Sequence, residues 1–387
     1  MNENSKLSQN IYFENLNSIR FIAASLVIVH HIEQFKSFFG IENNFKDVRV
    51  EMIGKLGVVL FFVLSGFLIS YLLFKEKEYT KTISIRKFYI RRILRIWPLY
   101  FLIIILSFFV FPFIEILKIE GFDRAVIWSD LGVKLFLYFT FLPNLVIVLY
   151  GMIPFVSVAW SIGVEEQFYL VWPVLNKKIN NKWILMFSVI IVYFLIKRYI
   201  FYLPNNIHEI AKSFWTACPI DCMAIGGIFA LLLYDNSKIV TFVRTIIYKK
   251  VIQWSILFLT LILILIGFKL KGLYYEFYAV LFGILILNFA SNPNRIFSME
   301  NKALNFLGKI SYGLYMYHAI LIVFTIRICK MFNCLNNYTL YTMSFLLTIG
   351  LASFSYRYFE KRFIKKKVEF STILSGDNAI NLKQNND

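Results

Sequence analysis

The sequence predicts an all-α protein that crosses a membrane about ten times, with one further re-entrant or interfacial segment. Three observations predict it. The 387 residues are 59% hydrophobic with a mean hydropathy of +0.65, above the roughly half-apolar make-up of soluble domains. The apolar residues gather into runs of about twenty, the length that spans a ~30 Å hydrocarbon core as helix. The 41 Lys and Arg residues give a formal net charge of +18, and they fall mostly between the runs. A positive-inside bias accounts for that placement, so no nucleic-acid partner is expected.

Eleven apolar runs follow in order. Residues 1–19 are polar and partly acidic, and the first run, 21–39, has Arg20 at its edge and His30 and His31 within it. A cleaved signal needs an uninterrupted apolar stretch, so this run is expected to stay in the mature chain. Run 54–74 carries Gly57, Ser65 and Gly66, small residues that let helices approach closely. Run 97–117 opens on Trp97-Pro98, just after Arg91, Arg92 and Arg95.

Runs 131–150 and 157–175 are separated by Gly151 and Pro154, with Pro143 inside the first. These break a helix, so 131–175 is read as a single net crossing with a re-entrant or interfacial piece near 131–155. That choice puts Lys177, Lys178, Lys182 and the tail cluster Lys361, Arg362 and Lys365 to Lys367 on the same side as the basic stretch 75–96. Runs 183–203, 213–234, 251–268, 274–290, 306–328 and 338–358 complete the ten crossings, with both termini cytoplasmic. One membrane domain is expected over 1–368, then a disordered polar cytoplasmic tail over 369–387. The four cysteines lack zinc spacing, and no metal is expected. Cys218 and Cys222 read as packing residues, and a Cys329–Cys334 disulfide stays open.

The ionisable residues inside the runs locate a candidate site, because each costs ~2.5 kcal/mol or more at a bilayer centre. Arg20 and His31 are eleven residues apart, about three helical turns and ~16 Å, on nearly one face. Glu165 lies twelve residues before Lys177, and His318 nine after Lys309. Each is ~14–20 Å from the inner boundary at 1.5 Å per residue. Three titratable groups from three segments therefore share one level.

A neutral imidazole can act as general base. Arg92 and Arg95 share a helix face, and a guanidinium binds phosphate through a planar fork; an anchor beside an interfacial Trp explains them equally well. Glu165 and its neighbour Glu166 sit in an apolar stretch with no lipid-facing explanation. Ser65 is a nucleophile only with a base beside it, and packing is its more economical role. Asp221 is a weaker case of the same kind.

Six stretches together carry a resemblance: Ser18-Ile-Arg20 through His31; Leu60-Phe-Phe-Val-Leu-Ser-Gly-Phe67; Phe88 through Pro98; Trp160-Ser through Pro173; Ile310-Ser-Tyr-Gly-Leu-Tyr-Met-Tyr-His318; and Ser355-Tyr-Arg-Tyr-Phe-Glu360. In this order they resemble the acyltransferase-3 family of bacterial integral membrane acyltransferases, which modify O-antigen, peptidoglycan and other surface glycans. The resemblance implies a ten-helix fold in the bacterial inner membrane. It implies acetyl-CoA, or another acyl-CoA, as a cytoplasmic co-substrate with no permanently bound cofactor, and a hydroxyl of a cell-surface or lipid-linked glycan as acceptor. It implies catalytic roles for Arg20 and His31 (the family's Arg-x10-His) and for Glu165 (its Trp-Ser-x-x-Val-Glu), and donor binding by Arg92 and Arg95. Val59 and Pro219 depart from the family pattern, which loosens any assignment of the acceptor or of Asp221.

The expected chemistry is membrane O-acyl transfer, with His31 as base, Glu165 orienting its imidazole, and Trp160, Ser161, Ser65 and His318 lining the cavity. Expected partners are acyl-CoA, a sugar acceptor, lipids and glycan-assembly proteins. The alternative is a proton-coupled transporter or flippase of a glycan precursor, since buried His, Glu and Arg also build proton relays. A transporter has no need of the inner phosphate fork.

Overall fold

The computed structural model describes residues 10–202 and 206–376, and it is helical almost throughout. Helix α1 (Leu16–Phe38) follows Asn15, which sits at φ 61°, a left-handed conformation that Asn tolerates. Asn15 is buried; its Nδ2 donates to Phe289 O at 2.9 Å, and its Oδ1 accepts the Met299 N–H at 2.6 Å. Helix α2 (Val48–Thr80) is capped by Asp47, whose carboxylate accepts the Arg49 N–H at 2.8 Å. It has 33 residues, about 50 Å of helix, so it extends well past a hydrocarbon core. Helix α3 (Ile85–Phe109) contains Pro98 and begins three turns before the apolar run. Arg92, Arg95 and Trp97 are therefore on one continuous rod.

The region read as interrupted is interrupted. It holds α4 (Arg124–Trp128), α5 (Leu131–Phe139) and α6 (Pro143–Tyr150), with Phe141 at φ 58° between the last two. Then come α7 (Trp160–Lys178) and α8 (Lys182–Tyr202). The run predicted as one crossing at 213–234 lies in a single apolar span, Glu209–Tyr234, built from α9 (Asn206–Thr216) and α10 (Ile220–Tyr234) with Pro219 at the break. Helices α11 (Lys238–Ile247) and α12 (Lys250–Leu265) are bent by 63°. The chain continues through α13 (Tyr274–Ser291), α14 (Lys302–Lys309), α15 (Ser311–Met331) and α16 (Asn337–Ser355). A π-helical turn over Tyr356–Glu360 leads into α17 (Lys361–Lys367).

Among the described residues, six helical stretches are long and apolar enough to cross a membrane, and the bent α11–α12 pair makes a seventh if it is one span. Helices α1, α7 and α16, with 23, 19 and 19 residues, have the length but a more polar sequence. The chain is a multi-pass, all-α membrane protein. Its centre is α2, packed against α1 and α10. A Cβ on Gly66 would collide with the Met223 carbonyl oxygen, and one on Gly226 with that of Val63, so the α2–α10 crossing rests on two reciprocal glycines.

Residues 369–376, the start of the expected polar tail, pack on the helices and on the N-terminal strand. Arg91 Nη1 donates to Phe370 O at 2.9 Å, and β2 (Leu374–Ser375) pairs in parallel with β1 (Asn10–Ile11). Backbone bonds of this kind need no side-chain pattern. Residues 377–387 of the expected tail lie outside the described residues. All four cysteines are free.

Candidate active site

Helices α1, α2, α3, α7 and α15, with the two chain ends, enclose a cavity of about 230 Å³. Its lining includes Arg20 of α1, Ser65 of α2, Arg92 and Arg95 of α3, and Ser161, Glu165 and Tyr169 of α7. The α7 trio is spaced i, i+4, i+8, one stripe of one helix face. Each was placed by the sequence except Tyr169, which the same spacing from Glu165 would have found.

Glu165 is held by hydroxyls. Ser65 Oγ donates to its Oε1 at 3.0 Å, and Tyr169 Oη to its Oε2 at 3.0 Å. Ser65, read chiefly as a packing residue, thus presents its hydroxyl to the cavity carboxylate while its neighbour Gly66 supplies the close helix contact. On the same wall Tyr315 donates to Val158 O at 2.9 Å. A phenol has one hydrogen, so the Ser161–Tyr315 bond of 2.8 Å runs from the Ser161 hydroxyl to the phenolic oxygen.

The arginines of α3 divide by role. Arg91 forms an ion pair with buried Glu76 at 3.1 Å and ties down the chain end. Arg92 lies against the rings of Phe88 and Tyr169, 5.6 and 5.5 Å from their centroids, and its buried Nε has no hydrogen-bond partner among the described residues. Arg95 lines the cavity beside it, and Arg20 bonds Asn17 Oδ1 at 2.8 Å. Glu166 accepts the Trp97 indole N–H at 3.1 Å, which joins α3 to α7 and leaves Glu165 as the carboxylate facing the cavity.

The imidazoles meet as the common level predicts, but the expected partner of His31 is corrected. His31 Nδ1 lies 3.0 Å from Val27 O and 3.0 Å from His318 Nε2. Its hydrogen bonds go to these groups, and those of Glu165 go to Ser65 and Tyr169. Helical rise fixes the depth of a residue and leaves its azimuth open, which is why depth paired the wrong two groups. A carbonyl oxygen only accepts, so the bond to Val27 places the hydrogen on Nδ1 and leaves Nε2 of His31 with its lone pair.

His318 is fully buried, and His31 is partly exposed. Neither is part of the cavity lining, nor is Trp160, which packs edge-on to Phe62. Tyr315 stands between the two regions: it lines the cavity, and its ring is 5.8 Å from that of His318. Asp221 is elsewhere, buried beside Glu276, which Lys197 bonds at 2.9 Å.

Besides Tyr169, the cavity lining includes Tyr315, Lys309 and Lys367, which the sequence does not mark as site residues. Tyr315 lies one turn before His318 and so is within reach of it. Lys309 enters the sequence argument through its depth, and Lys367 through the inner basic cluster.

Comparisons with known proteins identify relatives of the chain. The profile of a family described as an acyltransferase domain matches residues 13–357. A Staphylococcus aureus (strain COL) protein named "Putative O-acetyltransferase" is 28% identical over 390 residues, which covers 92% of this chain and 58% of that protein. The O-acetyltransferase OatA of S. aureus (strain NCTC 8325) is 28% identical over 380 residues, with the same two coverages of 92% and 58%. A protein of Acidianus two-tailed virus, "Putative acetyltransferase ORF330", is 29% identical over 282 residues, 69% of this chain and 73% of its own. The chain thus spans under two thirds of the length of the staphylococcal relatives. No solved structure matches it.

Proposed function

The chain belongs to the acyltransferase-3 family, and on that premise we propose that it is an O-acetyltransferase, using cytoplasmic acyl-CoA to acylate a hydroxyl of a cell-surface or lipid-linked glycan. The observation that carries this reading is the cavity: among the described residues, Arg20, Arg92, Arg95, Lys309 and Lys367 line it against one carboxylate, Glu165. Such a surplus of cations suits the phosphates of coenzyme A. With α1, α7 and α16 as the remaining crossings, the chain makes ten, sits in the bacterial inner membrane and keeps both termini in the cytoplasm.

The donor then enters from the cytoplasmic side with its phosphates on Arg92 and Arg95. The pantetheine arm runs along α1, where Arg20 and His31 are ~16 Å apart, and brings the thioester past Tyr315 to the imidazoles. His31 Nε2 takes the proton of the acceptor hydroxyl as its oxygen attacks the thioester carbonyl. The C–S bond breaks, the acyl ester forms, and the sulfur of coenzyme A leaves as thiolate and recovers the proton from the imidazolium. Val27 O holds the ring in the tautomer this needs, and His318 packs beside it. The orienting role expected of Glu165 passes to that carbonyl, and Glu165 instead balances charge within the cavity.

The test is transfer of radiolabel from acetyl-CoA to a panel of glycan acceptors by the purified protein in liposomes. Labelled glycan is the expected result. Acetyl-CoA left intact with every acceptor, while an unlabelled glycan precursor moves across the bilayer, would replace this reading by the transporter.

A further inference from the structure

Resting on the acyl-CoA reading above, we propose that Lys367, on the C-terminal segment 361–376, is a further phosphate-binding residue, and that this segment forms the cytoplasmic floor of the donor cavity.

Three observations place it there. The segment is tethered at separate points: α17 packs on α3, Arg91 donates to Phe370 O, β2 pairs with β1, and the Gly376 N–H donates to Ile11 O at 3.3 Å. Within α17, Ile364 and Lys367, three residues apart, line the cavity, whereas Lys365 and Lys366 are exposed. Lys367 therefore belongs to the inward face and is distinct from the solvated basic cluster around it.

The charge around Lys367 is the third observation. It makes no ion pair among the described residues, and its neighbours are Arg95, Arg92, Arg91 and Arg20. Arg91 is neutralised by Glu76. Carboxylates near Arg92 and Arg95 are already engaged: Glu165 by two hydroxyls, Glu166 by the Trp97 indole while it also acts on Arg92, and Glu360 by Ser355 at 3.1 Å while it acts on Arg95. Burial, and then the repulsion of these arginines, pushes the Lys367 ammonium well below its ordinary range.

A fold that holds an ammonium in this position by backbone tethers is incomplete without an anion. Among the described residues, five cationic side chains and one carboxylate line the cavity. The 3′-phosphomonoester of coenzyme A carries about −2, and its diphosphate adds further negative charge, so the ligand supplies what the cavity lacks.

The experiment is CoA binding by the full-length protein in detergent, compared among the wild type, K367Q, K367R and the exposed control K366Q. Binding to K367Q should weaken about ten- to a hundredfold, the effect of one charge-assisted hydrogen bond, with wild-type affinity in K366Q and most of it in K367R. Without ligand, K367Q should unfold no lower than the wild type, because it removes a repelled charge. Acetyl-pantetheine, which has no phosphates, should serve wild type and K367Q equally. Equal CoA affinity in wild type and K367Q overturns the role of Lys367 and leaves the donor reading intact. A wild type that binds no CoA overturns both. Hydrogen exchange in 361–376 gives a second readout that needs no variant: bound CoA should slow it, and an unchanged rate contradicts the floor.

Discussion

In the proposed mechanism His31 carries the chemistry through its hydrogen bonds. The Val27 carbonyl and His318 both face Nδ1, so the lone pair of Nε2 is the group able to accept a proton. His31→Ala should lower kcat by about 10²–10⁴, the usual worth of a general base, with CoA affinity unchanged. Glu165 predicts the opposite split. It is the carboxylate among the cavity's cations, so Glu165→Gln should bind CoA more tightly than the wild type with kcat nearly unchanged. Weaker CoA binding in that variant would show that Glu165 does more than balance charge. The same residues show how much of the site was legible. Arg20, His31, Glu165 and His318 announce themselves because ionisable groups in apolar runs are expensive. Their pairing was not legible, since helical rise gives level without azimuth. Tyr169 and Tyr315 were hidden because aromatic residues are common in a chain with 23 Tyr and 42 Phe.

Among the elements, α2 and α10 depend on two glycines whose added Cβ would strike opposing backbone. Gly66→Ala or Gly226→Ala should destabilise the protein by about 1–3 kcal/mol, the usual cost of overpacking, read as a lower unfolding temperature in detergent. Gly350 of α16 has nothing within 4 Å of such a Cβ. Gly350→Ala should therefore leave stability unchanged or raise it by up to about 1 kcal/mol. A shorter tether shows a pH dependence. Burial pushes the Glu300 carboxyl up, but hydrogen bonds from Tyr12, the Asn15 N–H and Asn305, with the charge of Arg295, outweigh it and hold the group below its ordinary range. A depressed carboxyl contributes its full stability above the ordinary Glu value of about 4.3 and loses it as pH falls through the folded-state value. Acid should therefore loosen residues 10–15, and Glu300→Gln should do so at pH 7, seen as faster proteolysis of the N-terminal segment.

Over the whole molecule, apolar runs gave most of the membrane helices because bilayer thickness imposes a length on them. They did not give the helix ends. Helix α3 continues through the basic stretch before Trp97, since Arg, Lys and Leu have similar helix propensity and hydropathy marks only the lipid boundary. The docked C-terminal segment was equally invisible, being held by backbone bonds and a carbonyl. What results is a division within the helical bundle, with the cavity's cations on one side of Tyr315 and the imidazoles on the other. The most direct measurement of that division is the steady-state kinetics of acetyl-CoA-dependent acylation for His31→Ala and Arg95→Gln side by side. The account predicts that Arg95→Gln raises KM for acetyl-CoA about tenfold or more with kcat nearly unchanged, while His31→Ala abolishes turnover with CoA affinity intact. An active His31→Ala enzyme, or an Arg95→Gln enzyme with unaltered KM, would contradict it.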